Sequence, residues 1–160
     1  MSDFNLASFA AHLGTMTAAL HHHEEHAMEK AARLIEAEAK REIGHYQGPA
    51  GEFVGWADLA PFTIEDRLKK GFSDDEPLLR TGELRDSIEH RVHGLEAMIG
   101  SDSDIAVWQE LGTKRIPPRT FLGGAAVRKG EATARLLGHG FVSALVGKDV
   151  FEGSFPIKGD

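Results

Sequence analysis

The feature that most constrains this chain is a long stretch with almost no helix breaker. From about Phe4 to Ile43 there is no proline, and Gly14 is the only glycine. The stretch is rich in Ala, Glu, Lys, Arg, Leu and Met, which lose little conformational freedom in a helix. Phe9, Leu13, Met16, Leu20, Ala27, Ala31 and Leu34 recur at spacings of three, four and seven. That pattern predicts one long helix carrying an apolar stripe. Gly44 is positioned to end it in a left-handed cap.

The same helix carries the most chemical-looking run in the chain, Leu20-His21-His22-His23-Glu24-Glu25-His26. A zincin needs His-Glu-x-x-His, with the Glu directly after the first His. Here His22 and His26 have the right separation, but His23 stands where the Glu is needed. At about 100° per residue, His22 and His26 fall opposite the stripe, beside Glu29, Arg33, Glu36 and Lys40. His23 flanks the stripe and Glu24 lies near its edge. A solvated helix face is the reading this placement favours. The alternatives are incidental affinity for a transition metal, or a metal-dependent hydrolase built on His22, His23, Glu24 and His26.

Beyond the helix the pattern breaks. Gln47 to Pro61 is punctuated by Gly and Pro, which predicts a loop that pins Phe53 and Trp56 into the core. Thr63 to Phe72 predicts a short helix with Thr63 as N-cap, Asp66 near the third helical position and Gly71 as the stop. Asp74, Asp75 and Glu76 follow in an acidic loop. Ile88, His90 and Val92 then alternate with Glu89, Arg91 and His93, which predicts a strand. A second strand after Gly94 completes an antiparallel hairpin. Asp104 to Leu111 fits a strand or a short helix. Gly112 to Phe121 reads as a loop in which Pro117 and Pro118 stiffen the backbone before Arg119. Residues 123–147 return to a helical pattern, with a bend or break expected near Gly138 and Gly140. Residues 148–160 form a tail carrying Val150, Phe151 and Phe155. The sum is a single α+β domain over residues 1–160. It comprises a long N-terminal helix (1–46), a loop and small antiparallel sheet region that includes the short helix (47–122), and a C-terminal helix.

Composition narrows the function classes. The chain has no cysteine, which excludes disulfides and thiolate metal sites. No apolar run reaches the roughly 20 residues a membrane span needs, and no signal segment is evident, so synthesis in the cytosol is expected. A net charge of −7 argues against a protein built to coat DNA. The charge is uneven, however. From Glu110 to Arg135 six bases (Lys114, Arg115, Arg119, Arg128, Lys129, Arg135) face two acids (Glu110, Glu131). A basic patch on an acidic body can dock on an acidic neighbour, including another copy of itself; a DNA-binding module is the competing use. Asp102 and Asp104 begin like a calcium loop, but no Gly follows at the sixth position. There is no nucleophile elbow and no phosphate-binding glycine loop. An enzyme is not expected, and no cofactor is implied.

Two stretches, Pro77 to Ile88 (PLLRTGELRDSI) and Ile99 to Leu122 (IGSDSDIAVWQELGTKRIPPRTFL), resemble the virion morphogenesis family of tailed bacteriophages, the neck and tail-completion proteins. The residues that carry the likeness come in order. They are Leu78, Thr81, Gly82, Leu84 and Ser87; Ile99-Gly100-Ser101, read as a turn; Glu110-x-Gly112-Thr113; and Pro117-x-Arg119-x-Phe121-Leu122. Trp56 to Gly71 is similar to a branch related to the tail proteins of transposable phages. The resemblance implies a non-enzymatic virion component, assembled in the host cytoplasm, that forms a homo-oligomeric ring, usually six-fold, at the head–tail junction as a neck or tail-completion protein, with a tail terminator of the same assembly as the alternative. Its implied neighbours are head-closure or connector proteins on one side and tail-tube or terminator proteins on the other. Viral DNA passes through without sequence-specific binding, and no membrane is involved. In such a ring Thr81-Gly82 would start a strand, and Glu110 and Arg119 would pair within or between subunits. Phe121 and Leu122 would anchor the core, and Lys114 and Arg115 would meet the Asp74-Asp75-Glu76 loop of a neighbour. An acidic channel wall would repel phosphates.

Overall fold

A computed structural model of the chain describes residues 6–146; the expected tail from residue 148 lies outside them. The elements in order are α1 (Leu6–Glu42), α2 (Pro61–Lys69), α3 (Glu83–Asp86), β1 (Ile88–His93), β2 (Glu96–Ser101), α4 (Asp104–Leu111) and α5 (Phe121–Val146). The architecture is α+β, as the changes of period predict.

The helix α1 runs for 37 residues and ends with Lys40 and Arg41 in its last turn, where cations suit the helix dipole. Gly44 follows with φ 98°. Its amide donates to the Pro77 carbonyl at 2.8 Å, and a Cβ there would sit 3.1 Å from Leu79 Cδ2. This glycine therefore stops the helix and lets the 77–79 segment close against it.

Most of the core lies where α5 and the β hairpin pack on α1. Ala27, Ala31, Ala39 and Ile43 are buried and Ile35 is partly buried. They repeat every four residues, a ridge of mostly small side chains that lets a second helix approach closely. Phe121 and Ala125 are buried opposite, at the start of α5. The expected stripe holds at Ala27 and Ala31 but not at Leu13, which is exposed because no element of the described residues closes over it. Charged pairs rim the contact. Arg128 Nη1 donates to Glu42 Oε1 at 2.6 Å, and Lys129 Nζ lies 3.3 Å from Glu38 Oε2. Arg128 and Lys129 thus belong to the helix–helix contact rather than to a basic surface patch. The helix α5 continues without a break past Gly138 and Gly140 to Val146. Packing along α1 offsets the helix cost of those glycines.

The strands β1 and β2 pair antiparallel, from Ile88↔Ser101 to His93↔Glu96, and Gly94 turns with φ 58°. Ile88 is buried and His90 and Val92 half-buried, while Glu89, Arg91 and His93 are exposed, which is the predicted alternation. Ile99-Gly100-Ser101 is the end of β2, not a turn.

Two local expectations are corrected, and one open choice between strand and helix is settled. The N-cap of α2 is Ala60, with Pro61 opening the helix, because proline's fixed φ suits the first helical position; Thr63 lies inside. Thr81-Gly82 starts the one-turn helix α3, with Gly82 at φ 90°, and β1 follows only after it. Residues Asp104 to Leu111 settle as helix because Ser103 caps them, its Oγ accepting from the Ile105 amide at 3.3 Å.

Candidate functional site

The residues that carry the family resemblance are held by charged side chains that bind backbone. Both Glu110 oxygens accept from the start of α5, Oε2 from the Leu122 amide at 2.9 Å and Oε1 from the Gly123 amide at 2.8 Å. The carboxylate satisfies two donors that the helix leaves unpaired and sits at the positive end of its dipole. Gly123 has to be small here, because a Cβ would come within 2.8 Å of the Phe53 ring. Arg119 is buried, and its Nη2 donates to the Ala57 and Asp58 carbonyls at 2.8 and 3.1 Å. Burial pulls its pKa down, with Tyr46 and Asp58 opposing the shift. The expected Glu110–Arg119 pair is therefore not formed within the chain, since each group is committed to a different piece of backbone.

Between them the loop tip is tightly built. Gly112 has φ 73°, and a Cβ would lie 2.9 Å from both the Ile116 carbonyl and the Pro118 nitrogen. Thr113 donates its amide to the Ile116 carbonyl at 2.8 Å. Its Oγ1 accepts from the amides of Arg115 and Ile116 at 3.2 and 3.1 Å. These bonds hold Lys114 and Arg115 at an exposed tip.

The acidic loop is organised from inside by Arg67, a buried residue that the sequence pattern did not single out. Its guanidinium donates to the carbonyls of Ser73, Glu76 and Leu79 at 2.5, 3.0 and 2.6 Å. Asp74, Asp75 and Glu76 remain exposed outside it. The Leu78-to-Ser87 motif joins this loop to the sheet. Leu84 is buried, and Ser87 Oγ donates to the Leu84 carbonyl at 2.8 Å and lies 2.6 Å from Ser101 Oγ.

The helices flanking these loops are turned inside out. On α4, Ala106 is buried and the polar Gln109 and Glu110 share its inner side, while Val107, Trp108 and Leu111 face outward. Trp108 is 51% exposed and Leu111 74%. On α2, Arg67 faces inward and Phe62 is 80% exposed, with Leu68 also outside.

The histidine run lies apart from these loops. His22 and His26 are exposed, as the helical phase predicts, and His23 and Glu24 are half-buried. His22, Glu25, His26 and Glu29 line a shallow depression with Val92. Among the described residues no group of three or more His, Cys, Asp or Glu side chains is placed to hold a metal ion. A histidine outside the run is better connected. His90 Nε2 lies 3.0 Å from Glu29 Oε1, and its Nδ1 bonds Glu36. The two carboxylates raise its pKa, and it ties the hairpin to α1. Among the described residues, no helix is long and apolar enough to cross a membrane.

The chain matches no family model, and no curated protein and no solved structure was found to be similar to it.

Proposed function

We propose that this chain is a structural component of a tailed-phage particle. In this reading it is a ring-forming subunit at the head–tail junction that completes the tail and lets it join the head around an open DNA channel. The observation that carries the reading is the outward apolar surface of α2 and α4. Large side chains such as Phe62, Trp108 and Leu111 stand in solvent, while Arg67 of α2 is buried and Gln109 and Glu110 of α4 turn half-buried toward the chain. A chain with a core of its own gains nothing from that arrangement unless another protein covers it. The resemblance of the Leu78–Ser87 and Glu110–Leu122 stretches supplies the kind of assembly, and the bonds that Glu110, Thr113 and Ser87 make to loop and helix-end backbone are in keeping with a scaffolding part in it. No catalytic residue and no cofactor enter this role.

The test is the mass of the purified protein by light scattering, followed by labelling its position in assembled particles. A ring-sized oligomer and a label at the neck are expected. A monomer at every concentration, or a label elsewhere, would overturn the reading.

A further inference from the structure

We propose that the outward stripe of α4 with its basic loop docks on the acidic loop and outward face of α2 of a second copy of this chain. The proposal rests on the assembly reading and names the contact. Val107, Trp108 and Leu111 lie on one side of α4, since residues three and four apart share a helix face. The chain then runs directly into Lys114 and Arg115. Phe62 and Leu68 stand out from α2 on its two outer flanks, about 120° apart around the axis, and a short turn over residues 70–73 joins that helix to Asp74, Asp75 and Glu76. Among the described residues none of these five charged side chains has an ion-pair partner.

Each face therefore couples exposed apolar side chains to an uncompensated charge, and the two charges are opposite. That is the chemistry of a contact with an apolar centre and a polar rim. The faces belong to different elements of one chain, so the contact is heterologous. Every subunit offers one face of each kind, and repeated docking either closes a ring or runs on as a filament. A pair of identical faces would instead set like charges together. The loops are also shaped in advance. Thr113 and Gly112 fix the basic tip and Arg67 fixes the acidic one, so little ordering entropy is lost on contact.

The test uses the full chain and sedimentation at several salt concentrations. Lys114→Glu with Arg115→Glu, and separately Asp74→Lys with Asp75→Lys and Glu76→Lys, should each weaken self-association by about tenfold or more. All five changes in one chain restore opposite signs and should recover most of that loss. Because the chain has no cysteine, Asp75→Cys with Arg115→Cys gives a unique pair. Mild oxidation should then produce a ladder of covalent multimers. If both reversals assemble like the parent and the cysteine pair gives no ladder, this contact is wrong while the assembly reading stands. If the parent itself never associates, both fall.

Discussion

The contact between α1 and α5 and the short helix α4 treat side chains in opposite ways. On α1, alanines and Ile43 go inward, and most charges stay on the rim or in solvent. Where Glu42 is buried, at 0% exposure, Arg128 is bonded to it. On α4, Gln109 and Glu110 go inward and Trp108 and Leu111 go out. The first arrangement follows from the hydrophobic effect acting within one chain. The second is stable because Glu110 meets two amides at a helix start, which repays the removal of its charge from water. The difference teaches where this fold is self-sufficient and where it leaves apolar surface for something else.

The largest effect should come from breaking the first region. Arg128→Ala strands the Glu42 carboxylate in the core, a loss of about 3–5 kcal/mol at neutral pH. Burial already pushes Glu42 up, with Arg128 opposing. Without Arg128 its pKa rises further in the folded state only, so folding takes up a proton and the damage shrinks as pH falls. Urea unfolding at pH 7 and pH 5 checks this; equal losses at both would show that Glu42 is not the cause.

Glu110→Ala should cost about 1–2 kcal/mol through the uncapped start of α5. Hydrogen exchange at the Leu122 and Gly123 amides should quicken. Combined with Arg119→Ala the losses should be close to additive, whereas a strong coupling energy would revive the idea of a Glu110–Arg119 pair.

A smaller, pH-shaped effect belongs to His90, which bonds Glu29 and Glu36 on α1, carboxylates that Arg33 and Lys40 also pair. The bonds to Glu29 and Glu36 raise its folded pKa above 6.5. Its stabilisation is therefore complete below pH 6.5 and fades as pH rises through the raised value. His90 and Arg33 lower the Glu29 pKa from 4.5. Burial raises that of Glu36, but its bonds to Lys40 and His90 lower it below 4.5. Their contribution is lost as pH falls through those lowered values. His90→Gln should flatten the alkaline side of the stability profile, and an unchanged slope from pH 6 to 8 would sink the clamp.

The smallest effect on folding should come from α4's outer side. Leu111→Ser, at the most exposed position of the stripe, should move unfolding of the monomer by no more than about 0.5 kcal/mol. A loss of several kcal/mol would mean that the stripe is covered within the chain.

Much of the fold was legible because it rests on local signals. The helix former run gave α1, Gly44 its end, and the alternation around His90 the hairpin. Phe121 proved a core anchor as its place in the motif implied. Long-range partners were not legible. Glu110 and Arg119 have opposite charges and bracket one loop, and nothing in their spacing reveals that one caps α5 while the other reaches the 57–58 backbone. Arg67 sits among ordinary surface charges in the sequence, and only the turn of the 73–79 segment makes it central. For α4, a signal was present in part. Its period was read as undecided between strand and helix, and Ser103 with Asp104, a cap followed by an acid, would have favoured helix.

The eight residues of α4 also divide the tolerance of this protein to change. Ala106, Gln109 and Glu110 answer to the fold, so altered versions of them are removed wherever unfolded chains are degraded. Val107, Trp108 and Leu111, at least half exposed, weigh much less in that filter. A selection that scores only intact folding would let them drift, and one that scores only assembled product would fix them. Interleaved along two turns of helix, the two sets of positions can be tuned separately, one neighbour at a time.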